Sequence, residues 1–250
     1  MQVHSMMAVG SPTMVGAQSR APLIALPGTL LDRASLSLLC EALGRPCRIE
    51  LLGVEERFDA EIERLAALAE QPAVWLGHSL GGIAALHLAA RHPQCCAALV
   101  VIGSNLRPDG ALGPQRRAEQ VAAWDRGGMR ALVIDQLAVA FGVQGDALLL
   151  EDLVAQAERI GIDRLRRQLG YAAQRPGLLA ETAPLRVPVL ALSGSRDTLS
   201  PPDCGDEIVV RVRGAEARHQ TLREVGHLLP MQAALWCAQQ AREFLDRIDV

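Results

Sequence analysis

The residues best suited to chemistry begin with Ser79, which stands in Gly77-His78-Ser79-Leu80-Gly81, between an apolar run and an alanine-rich segment. A serine hydroxyl is a weak nucleophile near neutral pH; it needs a base, and the base needs an orienting acid. Small residues two positions to either side are what a tight strand-to-helix turn demands, because side chains there would collide. Two further residues fit the remaining roles. Asp197 follows the apolar run "VPVLALSG", and His227 lies in "EVGHLLP", ahead of the last helical stretch. The chain order is serine, aspartate, histidine, and the chemistry is acyl transfer. Asp109, in "RPDG" after the run "AALVVIG", is the rival acid.

Such a reaction also needs donors for the oxyanion. The backbone N–H of Leu80, directly after the serine at a helix N-terminus, is the first. The second is the N–H of Thr29 in "LPGTLLD", after the Pro27-Gly28 turn. His78 neighbours the serine but alternation turns it away. It is read, with His4, His87, His92 and His219, as an ordinary structural or surface histidine.

Elements that could position these residues are visible as alternating patterns. Strand-like runs at 22–28, 47–53, 73–78 and 97–103 are separated by helical spacing at 33–43 and 59–70 and after Ser79. Alternation stops over 105–183, which reads as helices and turns, and resumes at 187–194. A weaker strand over 217–225 and a closing helix follow. Strands apolar on both faces and alternating with helices predict an α/β fold: a mostly parallel central sheet flanked by helices. The predicted organisation is a loose polar tail over 1–20, a core formed by 21–104 and 184–250, and an inserted helical cap over 105–183.

Composition narrows the partners. The 250 residues are half hydrophobic with a formal net charge of -3, and without a basic cluster nucleic acid is not expected. No run approaches the ~20 apolar residues of a membrane span, and the N-terminus makes a poor signal peptide. The six cysteines match neither a zinc nor a redox-pair spacing, which predicts free thiols in the cytoplasm. Neither metal nor organic cofactor is implied.

The strings "LPGTLLD", "GHSLGG", "SGSRDTLSPP" and "VGHLLP", in that order, resemble the α/β-hydrolase superfamily from about residue 22 to the C-terminus. The nearest likeness is to its small bacterial esterases, a group that includes carboxylesterases, the methyl esterase of biotin synthesis, enol-lactone hydrolases and C–C bond hydrolases. The resemblance implies that the cap lines the acyl or leaving-group pocket. Two departures stand out: Pro27-Gly28 replaces a common His-Gly, and the first twenty residues look too short and polar for the antiparallel hairpin with which many relatives begin.

The expectation is a serine hydrolase acting on a small-molecule carboxylic ester. C–C bond hydrolysis, thioester hydrolysis and a non-catalytic binding role remain as alternatives. Arg159, Arg164, Arg166 and Arg167 in the cap leave an acidic substrate or carrier protein open as a partner. Trp124, Phe141 and Tyr171 are read as cap core in preference to pocket lining, and either a monomer or a homodimer fits.

Overall fold

The computed structural model describes residues 20–179 and 184–250. The tail expected over 1–20 therefore lies, except for residue 20, outside the described residues. Among the described residues six strands form one all-parallel sheet in the order β2-β1-β3-β4-β5-β6. They are β1 (Leu23–Leu26), β2 (Cys47–Ile49), β3 (Ala73–His78), β4 (Cys96–Ile102), β5 (Val189–Gly194) and β6 (Ala217–Leu222).

Alternation along each strand sends neighbouring residues to opposite faces, and two apolar layers result. Ile24, Leu26, Trp75, Leu99 and Val189 pack on one side with α2 (Phe58–Leu68), α3 (Leu80–Arg91) and α8 (Pro202–Arg211). Leu23, Ala25, Val74, Leu76, Val100 and Leu190 pack on the other with α1 (Ala34–Ala42) and α10 (Ala234–Arg247). β3 is buried at every position, which is why its sequence reads as an unbroken apolar run. β6 is an edge strand with half-exposed and exposed positions, and its polar string "ARHQTL" gave a correspondingly weak signal.

Between β4 and β5 the described residues hold helices and no strand. They are α4 (Gly113–Ala131, broken at Gly127 and Gly128), a π-helical turn (Leu132–Leu137), α5 (Ala138–Phe141), α6 (Ala147–Ile160) and α7 (Ile162–Gln174). Their apolar faces form a third cluster with Leu30, Leu31 and Leu228 from the loops of the sheet. The helices thus sit over the carboxyl ends of the strands. A short α9 (Leu229–Gln232) precedes α10.

The chain leaves β1 to build β2 on one side and returns to build β3 on the other. That reversal opens a crevice at the carboxyl ends of β1 and β3, where open parallel sheets receive ligands. The loop carrying Gly28 and Thr29 leaves one of those strands, and Ser79 leaves the other.

Candidate active site

Ser79 sits between β3 and α3 with φ 52° and ψ −118°, a conformation an L-residue adopts only when its surroundings impose it. Three hydrogen bonds do so. Ser79 N–H donates to the Ile102 carbonyl (2.9 Å), and the Ser79 carbonyl accepts from Ile83 N–H (3.0 Å) and from the Ser104 hydroxyl (3.1 Å). The flanking glycines are needed for space. A Cβ on Gly77 would lie 2.4 Å from Gly82, and one on Gly81 would lie 2.0 Å from the Leu26 carbonyl oxygen.

The turn puts Ser79 Oγ 2.9 Å from His227 Nε2, and His227 Nδ1 lies 2.8 Å from Asp197 Oδ2. With the proton on Nδ1, that nitrogen donates to the carboxylate and Nε2 is free to accept from the serine. Asp197 is held in turn by its other oxygen, which accepts from Leu199 and Ser200 N–H at 2.8 and 2.9 Å. Burial works to raise the Asp197 pKa. The hydrogen bond and charge of His227, with those two N–H groups, work the other way, and the carboxyl lies below its ordinary value. The group is therefore a carboxylate at neutral pH. Asp197 and His227 are both almost fully buried.

The sequence left two acids open, and it is Asp197 that the fold brings to His227. Asp109 instead takes Arg117, with Arg117 Nη2 3.0 Å from Oδ1 and Nε 3.2 Å from Oδ2.

A cavity of about 370 Å³ opens at Ser79 and His227, within the size range of small-molecule sites. Thr29 and Leu80 line it beside Ser79. The first turn of a helix leaves its N–H groups without intrahelical partners, that of Leu80 among them. The next residue along the β1 loop is unsuitable as a donor, because the Leu30 N–H is bonded to Gln168 Oε1 at 2.8 Å. Gly28 is tight against Ser79: a Cβ there would lie 3.1 Å from Ser79 Cβ.

One residue in this region departed from its sequence reading, and a second does more than its reading gave it. His78, read as turned away, is buried and donates from Nε2 to the His227 backbone carbonyl at 2.9 Å. It lines the same cavity, and its Nδ1 has no hydrogen-bond partner. Burial, aided by the neighbouring His227, pushes its pKa down to about 3. Phe141, read as cap core, is buried in the helical cluster, and it also lines the cavity and stacks on the His227 ring with centroids 5.5 Å apart. Tyr171 does belong to the core, where it is bonded to the buried Glu61 (2.9 Å), and Trp124 packs on the helical cluster under Arg166. Only a contact between segments far apart in the chain distinguishes these cases, and no local pattern carries it.

Four arginines considered for an acidic partner are engaged elsewhere. Arg159 pairs with Asp32 and Arg167 with Glu56, Arg164 bonds the carbonyls of Leu51 and Leu52, and Arg166 lies over the Trp124 ring. No helix among the described residues is long and apolar enough to cross a membrane.

Comparison with known proteins agrees with this architecture. Residues 58–232 match the family model described as serine aminopeptidase, S33. The chain is 27% identical over 198 residues to a pimeloyl-[acyl-carrier protein] methyl ester esterase of Neisseria meningitidis serogroup A. That alignment covers 76% of this chain and 62% of the relative. A protein of the same name from a serogroup B strain is 28% identical over 195 residues, covering 75% and 74%. Among solved structures, a thermophilic esterase from Thermogutta terrifontis superposes with a TM-score of 0.79 at 21% identity, covering 92% of this chain and 91% of that one. The enol-lactonase from Burkholderia xenovorans gives 0.75 at 19%, covering 91% and 92%. At these identities the structural likeness is one of fold. Matched by the family model over more than half its length and folded as these hydrolases are, the chain belongs to the serine aminopeptidase family and is an α/β-fold hydrolase.

Proposed function

We propose that the protein hydrolyses carboxylic esters of small or medium acyl groups in two steps through Ser79, His227 and Asp197. The observation that carries this reading is the continuous hydrogen-bonded line from Ser79 Oγ through His227 to Asp197, ending in a cavity. His227 Nε2 takes the serine proton as Oγ attacks the ester carbonyl. Asp197 stabilises the imidazolium, and the N–H groups of Thr29 and Leu80 receive the oxyanion. The proton on Nε2 passes to the departing alkoxide. Water then attacks the acyl-enzyme, giving its proton to the same nitrogen, and the acid leaves with Ser79 restored.

The helices between β4 and β5 act as a cap in this reading. Leu137, Phe141, Leu165 and Leu169 give it an apolar lining, suited to an acyl chain. The relatives named for action on a carrier-bound methyl ester support ester chemistry over C–C cleavage.

Hydrolysis of p-nitrophenyl esters from acetate to decanoate tests the reading, with wild type beside Ser79→Ala. Turnover with an optimum at short or medium chain length, lost in the variant, is expected. A folded wild type inactive on the whole series would overturn it.

A further inference from the structure

Arg175, just past the end of α7, is 9% exposed and lines the same cavity as Ser79. Its Nε donates to the Arg107 carbonyl at 3.3 Å and its Nη1 to the Ala172 carbonyl at 2.6 Å. These two bonds fix the plane of the guanidinium and use two of its five N–H donors. Among the described residues no carboxylate pairs with it, and Nη2 has no protein partner.

The other charges lining the cavity do not supply the missing partner. Asp109 is held by two nitrogens of Arg117, which also donates to Gln120. Glu119 accepts from Gln115. Arg116 lines the cavity as well, so three arginines face two carboxylates there. Burial lowers the Arg175 pKa, with Asp109 pulling it up and Arg117 pushing it down; a guanidinium remains a cation at neutral pH all the same.

A buried cation without a counter-charge is costly unless something anionic joins it. We propose that the ester hydrolysed at Ser79 carries a free carboxylate at its far end, and that Arg175 receives it. The substrate class is the half-ester of a dicarboxylic acid, bound with its ester at Ser79 and its carboxylate on the Arg175 guanidinium. A carboxylate matches the planar donor fork of arginine, and it would enter where the cavity has one positive charge in excess. The apolar residues that line the cavity, Leu137, Phe141, Leu165 and Leu169, favour a hydrocarbon spacer. This assignment rests on the esterase reading of Ser79.

The test compares kcat/KM for monomethyl and dimethyl esters of linear dicarboxylic acids of increasing length, in wild type, Arg175→Gln and Arg175→Lys. Wild type should favour the half-ester by about ten- to a hundredfold, as a charge-assisted bond allows. The ratio should fall to about one in Arg175→Gln and be partly kept in Arg175→Lys. A wild type with no preference for the charged ester, or a preference that survives in Arg175→Gln, would overturn the assignment. If Arg175→Gln does not fold, the wild-type ratio and Arg175→Lys decide it alone.

Turnover of neither ester would count against the esterase reading and not against the anion site. Calorimetry on Ser79→Ala then separates the two. Tighter binding of the half-ester than of the dimethyl ester, lost when Arg175→Gln is added, would uphold the carboxylate site. Equal binding of both esters would end it.

Discussion

At the scale of single residues, the line Ser79–His227–Asp197 allows separate failures to be distinguished. Ser79→Ala removes the proposed nucleophile and should lower kcat by about 10⁶-fold, leaving only what cavity binding and the proposed oxyanion donors provide. Asp197→Asn keeps the shape but offers His227 the wrong tautomer, and should cost about 10⁴-fold. Both are read by steady-state ester hydrolysis, with circular dichroism to verify the fold. If Asp197→Asn retained near wild-type turnover, the acid would have to be sought elsewhere. Serine and its glycines were legible in the sequence because the turn is a local device: spacing within five residues encodes it. Asp197 and His227 were legible by position, each just beyond a strand-like run. Arg175 and His78 were not, because each takes its meaning from a neighbour far along the chain. Arg175 meets the carbonyl of Arg107, and His78 meets that of His227.

At the scale of elements, the elbow between β3 and α3 packs backbone against backbone. A methyl group on Gly81 would press into the carbonyls of Leu26 and Pro27, the start of the loop that carries Thr29. Gly81→Ala should therefore destabilise by at least about 1–3 kcal/mol, seen as a Tm lower by several degrees. It should also depress kcat at temperatures where the protein is still folded, because the loop must move to admit the methyl group. A variant with unchanged Tm and rate would show that the helix can slide away freely. The helices of 113–174 form a second unit at this scale. Phe141 brings α5 onto the His227 ring, so Phe141→Ala should raise KM for apolar acyl chains and loosen His227, lowering kcat about tenfold or less. A change confined to Tm would mark the ring as packing alone. The sequence disclosed the helical nature of this segment through its lack of any strand-like run. Which faces close the cavity depends on kinks such as the one at Gly127 and Gly128 and on the π-helical turn, and periodicity smooths these over.

At the scale of the whole molecule, two histidines are buried where their charged forms are unwelcome. The pKa of His87 is pushed down to about 4, first by burial and then by the charges of Arg91 and Arg175; that of His78 is near 3. In the unfolded chain both would titrate near ~6.5. Between those values the unfolded state binds more protons than the folded one, so stability rises with pH and is lost as pH falls below ~6.5. Each group contributes a slope of up to ~1.4 kcal/mol per pH unit there. His87 has an unpartnered Nδ1 and meets Phe58 edge-on, so leucine suits the site. His87→Leu should reduce the stability lost between about pH 6.5 and 4.5 by about 2 kcal/mol, read from urea midpoints across that range. Parallel pH profiles for the two proteins would refute the assignment. The parallel sheet and its two layers were legible at this scale because buried strands carry an unbroken apolar signal. The edge strand β6 was the faintest because none of its positions is fully buried.

The backbone at Ser79 also sets the molecule's durability against its usefulness. Glycine accepts that corner without strain, so Ser79→Gly should exceed Ser79→Ala in unfolding free energy by about 1–2 kcal/mol. A population of variants selected only for thermal endurance would drift toward glycine at this position and fall silent as hydrolases. Persistence of serine there across generations would then be a record of turnover under selection, written against the interest of the fold.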